Sequence, residues 1–241
     1  MDVNDIFSMG NLNFYSMDGR HSTFVALRLK LDDIIDIDAL QEAADKCRKR
    51  MPYFFVRLAC DAGWYIKEKN KNPFVVHRDP LDYLIDASDN DDFLCRLSVY
   101  ESFITFYIFH GLSDGVSMMN FLRLLLCEYY KLKGEDVTPP QDLFDIDSEV
   151  SFEETVDPLV YLPDDIEPAV SQQTKFKIIE AEPIDGFVSY TFSTRTEDVM
   201  AYASSHDGSP NAIAAIAFAK AINEISPARD DDVIDVSIAI N

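Results

Sequence analysis

One stretch, residues 101–132, constrains this chain more than any other. Residues 102–109 form an aromatic and β-branched run that reads as a buried strand. Downstream, Val116, Met119, Leu122, Leu126 and Tyr130 recur at helical spacing, and Gly134 supplies the stop signal. Between strand and helix lies Phe109-His110-Gly111-Leu112-Ser113-Asp114-Gly115. A histidine at the join of two hydrophobic elements can be presented in a cleft by the turn that carries it, and the chemistry is placed there.

The bulk of the chain bounds what that chemistry can serve. With 241 residues and a hydrophobic fraction of 47%, the chain has material for a sizeable core, in one large domain or two small ones. A net charge of −22 argues against a nucleic-acid backbone or an anionic membrane as partner, since both need a basic surface. Cys47, Cys60, Cys95 and Cys127 are widely spaced, without Cys-x-x-Cys or Cys-x-x-His pairs, and read as free thiols in a reducing compartment. No metal site is expected. The N-terminus lacks a basic region followed by an apolar one, and no apolar run approaches membrane-spanning length, so a cytoplasmic location is expected.

In chain order, residues 23–31 read as a strand and 36–50 as an amphipathic helix capped by Asp36 or Asp38. Lys46, Arg48, Lys49 and Arg50 would complement the negative end of its dipole before Pro52 ends it. Residues 54–60 and 63–67 read as a hairpin. Arg57 lies inside its first strand, either exposed by alternation or buried and in need of a carboxylate. A short strand over 73–77, an acidic loop over 79–92 and a strand over 93–100 lead back to the central run through a turn at Glu101-Ser102.

Residues 135–174 contain no lysine or arginine and are broken by prolines, which reads as an extended connector. Three domain segments follow: a first lobe over 1–134, the connector over 135–174, and a further segment over 175–241. Strands are expected over 175–182 and 187–192. Thr194 with Glu197 resembles a capping box, and Ser209-Pro210 opens an alanine-rich helix over 211–225. A closing strand over 232–241 ends in hydrophobic sequence, as if the chain were a fragment of something longer.

His110 has two readings. Histidine titrates near neutrality and suits a general base, but a histidine at a strand end is also a common hydrogen-bonded scaffold residue. Asp114, at the start of the helix, more readily fixes the turn by capping than touches a substrate, and Gly111 and Gly115 would supply tight turning and close backbone approach.

The segment from Phe109 to Gly115 resembles the His-His-x-x-x-Asp-Gly signature of the chloramphenicol acetyltransferase-like acyltransferases, which include nonribosomal peptide condensation domains and alcohol O-acetyltransferases. Phe109 replaces the first histidine, which matches the looser His-x-x-x-Asp-Gly form. Phe14-Tyr15-Ser16-Met17-Asp18, the run from Arg50 to Leu58 and Gly63-Trp64-Tyr65 resemble the N-terminal region of bacterial alcohol acetyltransferase-like proteins, and Ser209-Pro210-Asn211 with its helix resembles the start of their second lobe. The resemblance implies an α/β fold, a two-layer sandwich with a mixed sheet, whose second lobe is only begun at 175–241. It implies His110 as general base, with Asp114 and Gly115 supporting the turn and an arginine as the partner of Asp114, for which Arg57, inside its apolar strand, is the candidate. It implies no tightly bound cofactor, with acyl-CoA as co-substrate or a carrier-protein thioester in its place, and a small alcohol or amine acceptor. In such folds the two substrates meet in a tunnel between lobes, so a homo-oligomer or a missing C-terminal lobe would complete it. A different class stays open: a non-catalytic scaffold or interaction protein, or an inactive fragment, retaining an acyltransferase lobe.

Overall fold

In a computed structural model of the chain, the structure describes residues 24–61, 64–79, 90–156, 192–227, 233, 234 and 236, with backbone alone at 60, 61, 64 and 65. Two compact units result, Met1–Asp164 and Asp165–Asn241. The first contains strands β1 (Phe24–Lys30), β2 (Val56–Asp61), β3 (Trp64–Lys69), β4 (Cys95–Tyr100) and β5 (Phe103–Phe109), with helices α1 (Ile37–Arg50) and α2 (Gly115–Leu132). The second contains α3 (Thr196–Ser205) and α4 (Pro210–Ile225).

The first unit is a two-layer α/β structure. Its sheet has the order β1-β5-β4, antiparallel throughout, with Phe24 opposite Phe109 on one side of β5 and Cys95 opposite Ile108 on the other. Alternation sends Ile104, Phe106 and Ile108 to one face, together with Val25, Leu27 and Leu29 of β1 and Leu97 and Val99 of β4. Helices α1 and α2 pack together over that face, and the Phe106 ring stacks on Phe121 of α2 with centroids 4.4 Å apart. Phe54 and Phe55, from the turn after α1, meet Phe121 at tilted angles and close the same core. The other face of β5, Thr105, Tyr107 and Phe109, is buried too. Burial on both faces is why its sequence is an unbroken apolar and aromatic run.

Local signals set the element ends. Asp36 Oδ1 accepts the amides of Asp38 and Ala39 and starts α1. Glu101 turns β4 into β5 with a positive φ of 53°, and Gly134 stops α2 at a φ of 85°, where a Cβ would be strained. The apolar set expected for α2 matches the buried one in part: Leu122 is inside and Leu126 and Tyr130 pack against the core, but Val116 and Met119 are exposed, and Met118, Phe121, Leu124, Leu125 and Tyr129 are inside instead. Apolar residues surround this helix on most sides, so periodicity alone leaves its inward face open, and contact with α1 and the sheet decides it. Of the strand expected over 73–77, His77 forms a single parallel bridge to Ser98 at the β4 edge.

Arg50 departs most from expectation. Besides lying in the last turn of α1, where it complements the helix dipole, it is only 3% exposed. Its Nη1 and Nη2 donate to the two carboxylate oxygens of Glu154 at 2.7 and 3.0 Å, and Nε donates to Ser148 Oγ at 2.9 Å. The guanidinium also lies over the Phe144 ring, 4.5 Å from its centroid. Tyr53 donates its hydroxyl to the same carboxylate at 2.9 Å, and the Ser151 amide caps the other oxygen. Leu143, Phe144 and Ile146 pack against the main core, so residues 142–154 form a strap over the first unit.

In the second unit, Ser209 Oγ accepts the Ala212 amide and Pro210 opens α4, as its sequence dictates. The capping box at Thr194 does not form: α3 begins with Arg195 as N-cap, without a side-chain hydrogen bond. The strand expected over 175–182, that over 187–192 apart from Phe192, which is in no strand, most of the closing strand, residues 14–18 and residues 80–89 lie outside the described residues.

An unpaired buried charge is costly, so Arg50→Ala or Glu154→Ala is expected to lower unfolding free energy by about 3–5 kcal/mol in urea titrations. Burial alone would raise the Glu154 carboxyl, but hydrogen bonds from Arg50, the Ser151 amide and Tyr53 hold it below the usual glutamate range. A depressed folded pKa gives stability that is present above the unfolded value and is lost as pH falls through the folded one. Wild-type stability should therefore drop below about pH 4, the ordinary glutamate range, more steeply than that of Glu154→Gln.

Candidate functional site

The candidate site is the turn that joins β5 to α2. Strand β5 ends where the Phe109 amide donates to Leu94 O at 2.8 Å, and the chain reverses as the Leu112 amide donates to Phe109 O at 2.8 Å. Asp114 then starts α2 in extended backbone, φ −93° and ψ 177°, with Oδ1 accepting the Ser117 amide at 2.8 Å. Its own carbonyl accepts the Met118 amide at 3.1 Å. The carboxylate is thus engaged by the helix it opens, which fits a turn-fixing role. Ser113 and Leu112 are half-buried, and His110 is exposed. A side chain in that position can meet a ligand from solution. Val116 and Met119, in the first turns of α2, are 45% and 41% exposed and leave apolar surface on the same helix.

Gly115 does not do what its sequence position suggested. It is the first residue of α2, it is absent from the positive-φ residues, and a Cβ built on it meets nothing within 4 Å. Neither tight turning nor close backbone approach requires glycine there. Arg57 also departs from the expected pairing. It stands opposite Glu68 in the β2/β3 register and forms its ion pair with that residue, while Asp114 bonds within its own helix start. Alternation puts Arg57 on the outside of the hairpin, and a cross-strand carboxylate is nearer than any on α2. The structure brings His110, Asp114 and Gly115 into one turn, and Arg57 belongs to another element.

Two charged clusters escaped the sequence. One is the Arg50–Glu154 pair. In the other, Arg96 of β4 is 6% exposed, pairs with Asp79 and donates to Ser98 Oγ. His77 lies beside this pair; burial first, then the Arg96 charge, pushes its pKa below the ordinary imidazole value. The residues of both clusters come from segments 17–104 positions apart, which no local pattern connects. A groove of about 340 Å³ lies between α2 and the strap, bounded by Leu124, Cys127, Lys131, Leu143, Phe144 and Ile146. His110 does not line it. Among the described residues, no cluster of His, Cys, Asp and Glu is arranged to hold a metal ion, and no helix is long and apolar enough to cross a membrane.

No protein-family model matches the chain. No curated protein matches it either. Solved structures do show similarity. The SgcC5 protein of Streptomyces globisporus, solved with a naphthyl ethanediol and sucrose, shares 19% identity at a TM-score of 0.41, over 50% of this chain and 32% of that one. The first condensation domain of the calcium-dependent antibiotic synthetase, solved with a substrate analogue, shares 14% identity at a TM-score of 0.45, over 60% and 41%. The starter condensation domain of rhizomide synthetase, a mutant solved with C8-CoA, shares 10% identity at 0.45, over 57% and 38%. The chain spans less than half the length of each of these proteins.

Replacing Arg57 by alanine is expected to change stability by less than about 1 kcal/mol, because the pair is half-exposed and cross-strand. Asp114→Ala removes the cap and should cost about 1 kcal/mol, a shift of roughly 2–4 °C in Tm for a protein of this size. Differential scanning calorimetry of both variants checks the contrast.

Proposed function

We propose that the chain carries the general base of a thioester-dependent acyl transfer, with His110 in that role. The observation that carries this reading is the exposure of His110 at a strand-turn-helix junction whose aspartate is occupied as the helix cap. The resemblance of the turn to the His-x-x-x-Asp-Gly signature supplies the chemistry. His110 would take the proton of an acceptor hydroxyl or amine as the acceptor atom bonds to the thioester carbonyl carbon. Collapse of the tetrahedral species would break the carbon–sulfur bond, and the proton would pass to the departing thiolate. Acyl-CoA is the proposed donor, a small alcohol or amine the acceptor, and Asp114 the residue that holds the turn. Buried free thiols at Cys47, Cys95 and Cys127 are compatible with work in a reducing cytoplasm.

A second reading draws on a separate observation. No residue of α4 is buried, and Ile216, Phe218 and Ile225 are 56%, 69% and 82% exposed. Apolar surface of that kind favours an interaction protein that retains the acyltransferase lobe.

Release of free thiol from acetyl-CoA, followed with a panel of alcohols and amines, separates the two. Transfer by the wild type and a loss of about 10²- to 10⁴-fold in His110→Ala are expected if the base assignment is right. Equal rates in both proteins would overturn it.

A further inference from the structure

Phe109 faces away from the main core. It is fully buried, yet its neighbours are Val56 of β2 and Leu94 just before β4, themselves 1% exposed, with Phe24, Leu58 and Leu112 packed at the margin. The Phe24 ring meets it edge-on, with centroids 5.9 Å apart and planes at 67°. Phe109, a member of this small cluster, immediately precedes His110. Leu112, two positions after His110, packs against it and also against the main core. His110 is therefore flanked on both sides by apolar anchors, although it is itself exposed.

The backbone repeats the arrangement. The Phe109 amide is tied to Leu94 O, the Leu94 amide to Val56 O at 3.2 Å, and the Phe109 carbonyl receives the Leu112 amide. Leu94 and Leu112 thus hold the Phe109 backbone, and Val56 in turn holds Leu94.

We propose that Phe109 is the positioning residue of the candidate site: it clamps the end of β5 onto the Val56–Leu94 cluster and so fixes the direction in which His110 leaves the strand. The inference rests on reading His110 as the base, since a clamp matters only for a side chain that must be aimed. Physically, a smaller side chain at 109 leaves a space that the end of β5 can settle into, and the turn pivots with it. A displacement of about 1 Å at a reacting group costs on the order of 10²-fold in rate. Phe109 does not reach solvent, so it acts through His110 and touches no ligand.

The test compares Phe109→Leu with Ile104→Val, both in the full chain. Ile104 is equally buried but lies at the opposite end of β5 in the main core, so it reports general loss of packing. The readouts are the kcat and KM of acyl transfer and the ring resonances of His110 in histidine-labelled protein, assigned by their loss in His110→Ala. Phe109→Leu should lower kcat tenfold or more with KM within twofold, and should shift or broaden the His110 signals. Ile104→Val should lower Tm while leaving both readouts unchanged. Should Phe109→Leu fail to fold, Phe109→Met takes its place. An unmoved His110 signal in a folded Phe109 variant, or an equal change in Ile104→Val, overturns the proposal. Absence of transfer in the wild type would defeat the acyltransfer reading, and the resonances would still decide whether Phe109 aims His110.

Discussion

The structure depends on β5 being paired on both edges and covered on both faces. Antiparallel pairing to β1 and β4 fixes its register, and the alternation of Ile104, Phe106 and Ile108 with Thr105, Tyr107 and Phe109 gives each face something to hold. Helices α1 and α2 are then placed by the side chains β5 offers, above all by the stacking of Phe106 on Phe121. A strand so constrained ends at one defined point in space. His110 occupies that point, and the helix beginning four residues later at Asp114 closes the turn from its far side.

Much of this is legible in the residues because it is local. The aromatic run of β5, the Asp36 cap, the stop at Gly134 and the Ser209-Pro210 start of α4 each encode their conformation within a few positions. The candidate site is legible for the same reason, since strand, turn and cap are contiguous. What the residues do not disclose is pairing across distance. Arg57 could be recognised as a cation that wants a carboxylate, but the choice of Glu68 follows from hairpin register. Arg50 resembles any basic residue in a last helical turn until residues 142–154 fold over it. Gly115 and Thr194 show the opposite error, a motif whose geometry the backbone does not use.

Charge has a structural use here that a net value of −22 conceals. Residues 135–174 have no cation of their own, and they supply anions to helices that do: Asp142 pairs with Arg123 of α2, and Glu154 with Arg50 of α1. Within the first unit, Arg96 likewise has Asp79. Such pairs contribute little when exposed, as Asp142 is. When buried they impose strict geometry, because each partner left alone would be a desolvated charge. The segment that composition marks as a solvated run is in part a fitted piece of the first unit.

That fit also ties together remote parts of the first unit. Arg50 and Glu154 are 104 positions apart, so their pair closes a loop that contains β2 to β5, His110 and α2. The entropy lost in closing a flexible loop grows only with the logarithm of its length, by about 0.6 kcal/mol for each doubling. A contact so distant in sequence is therefore little harder to close than one half as far, and a buried two-pronged ion pair is strong enough to hold it. One guanidinium thereby rings the strand that ends at His110.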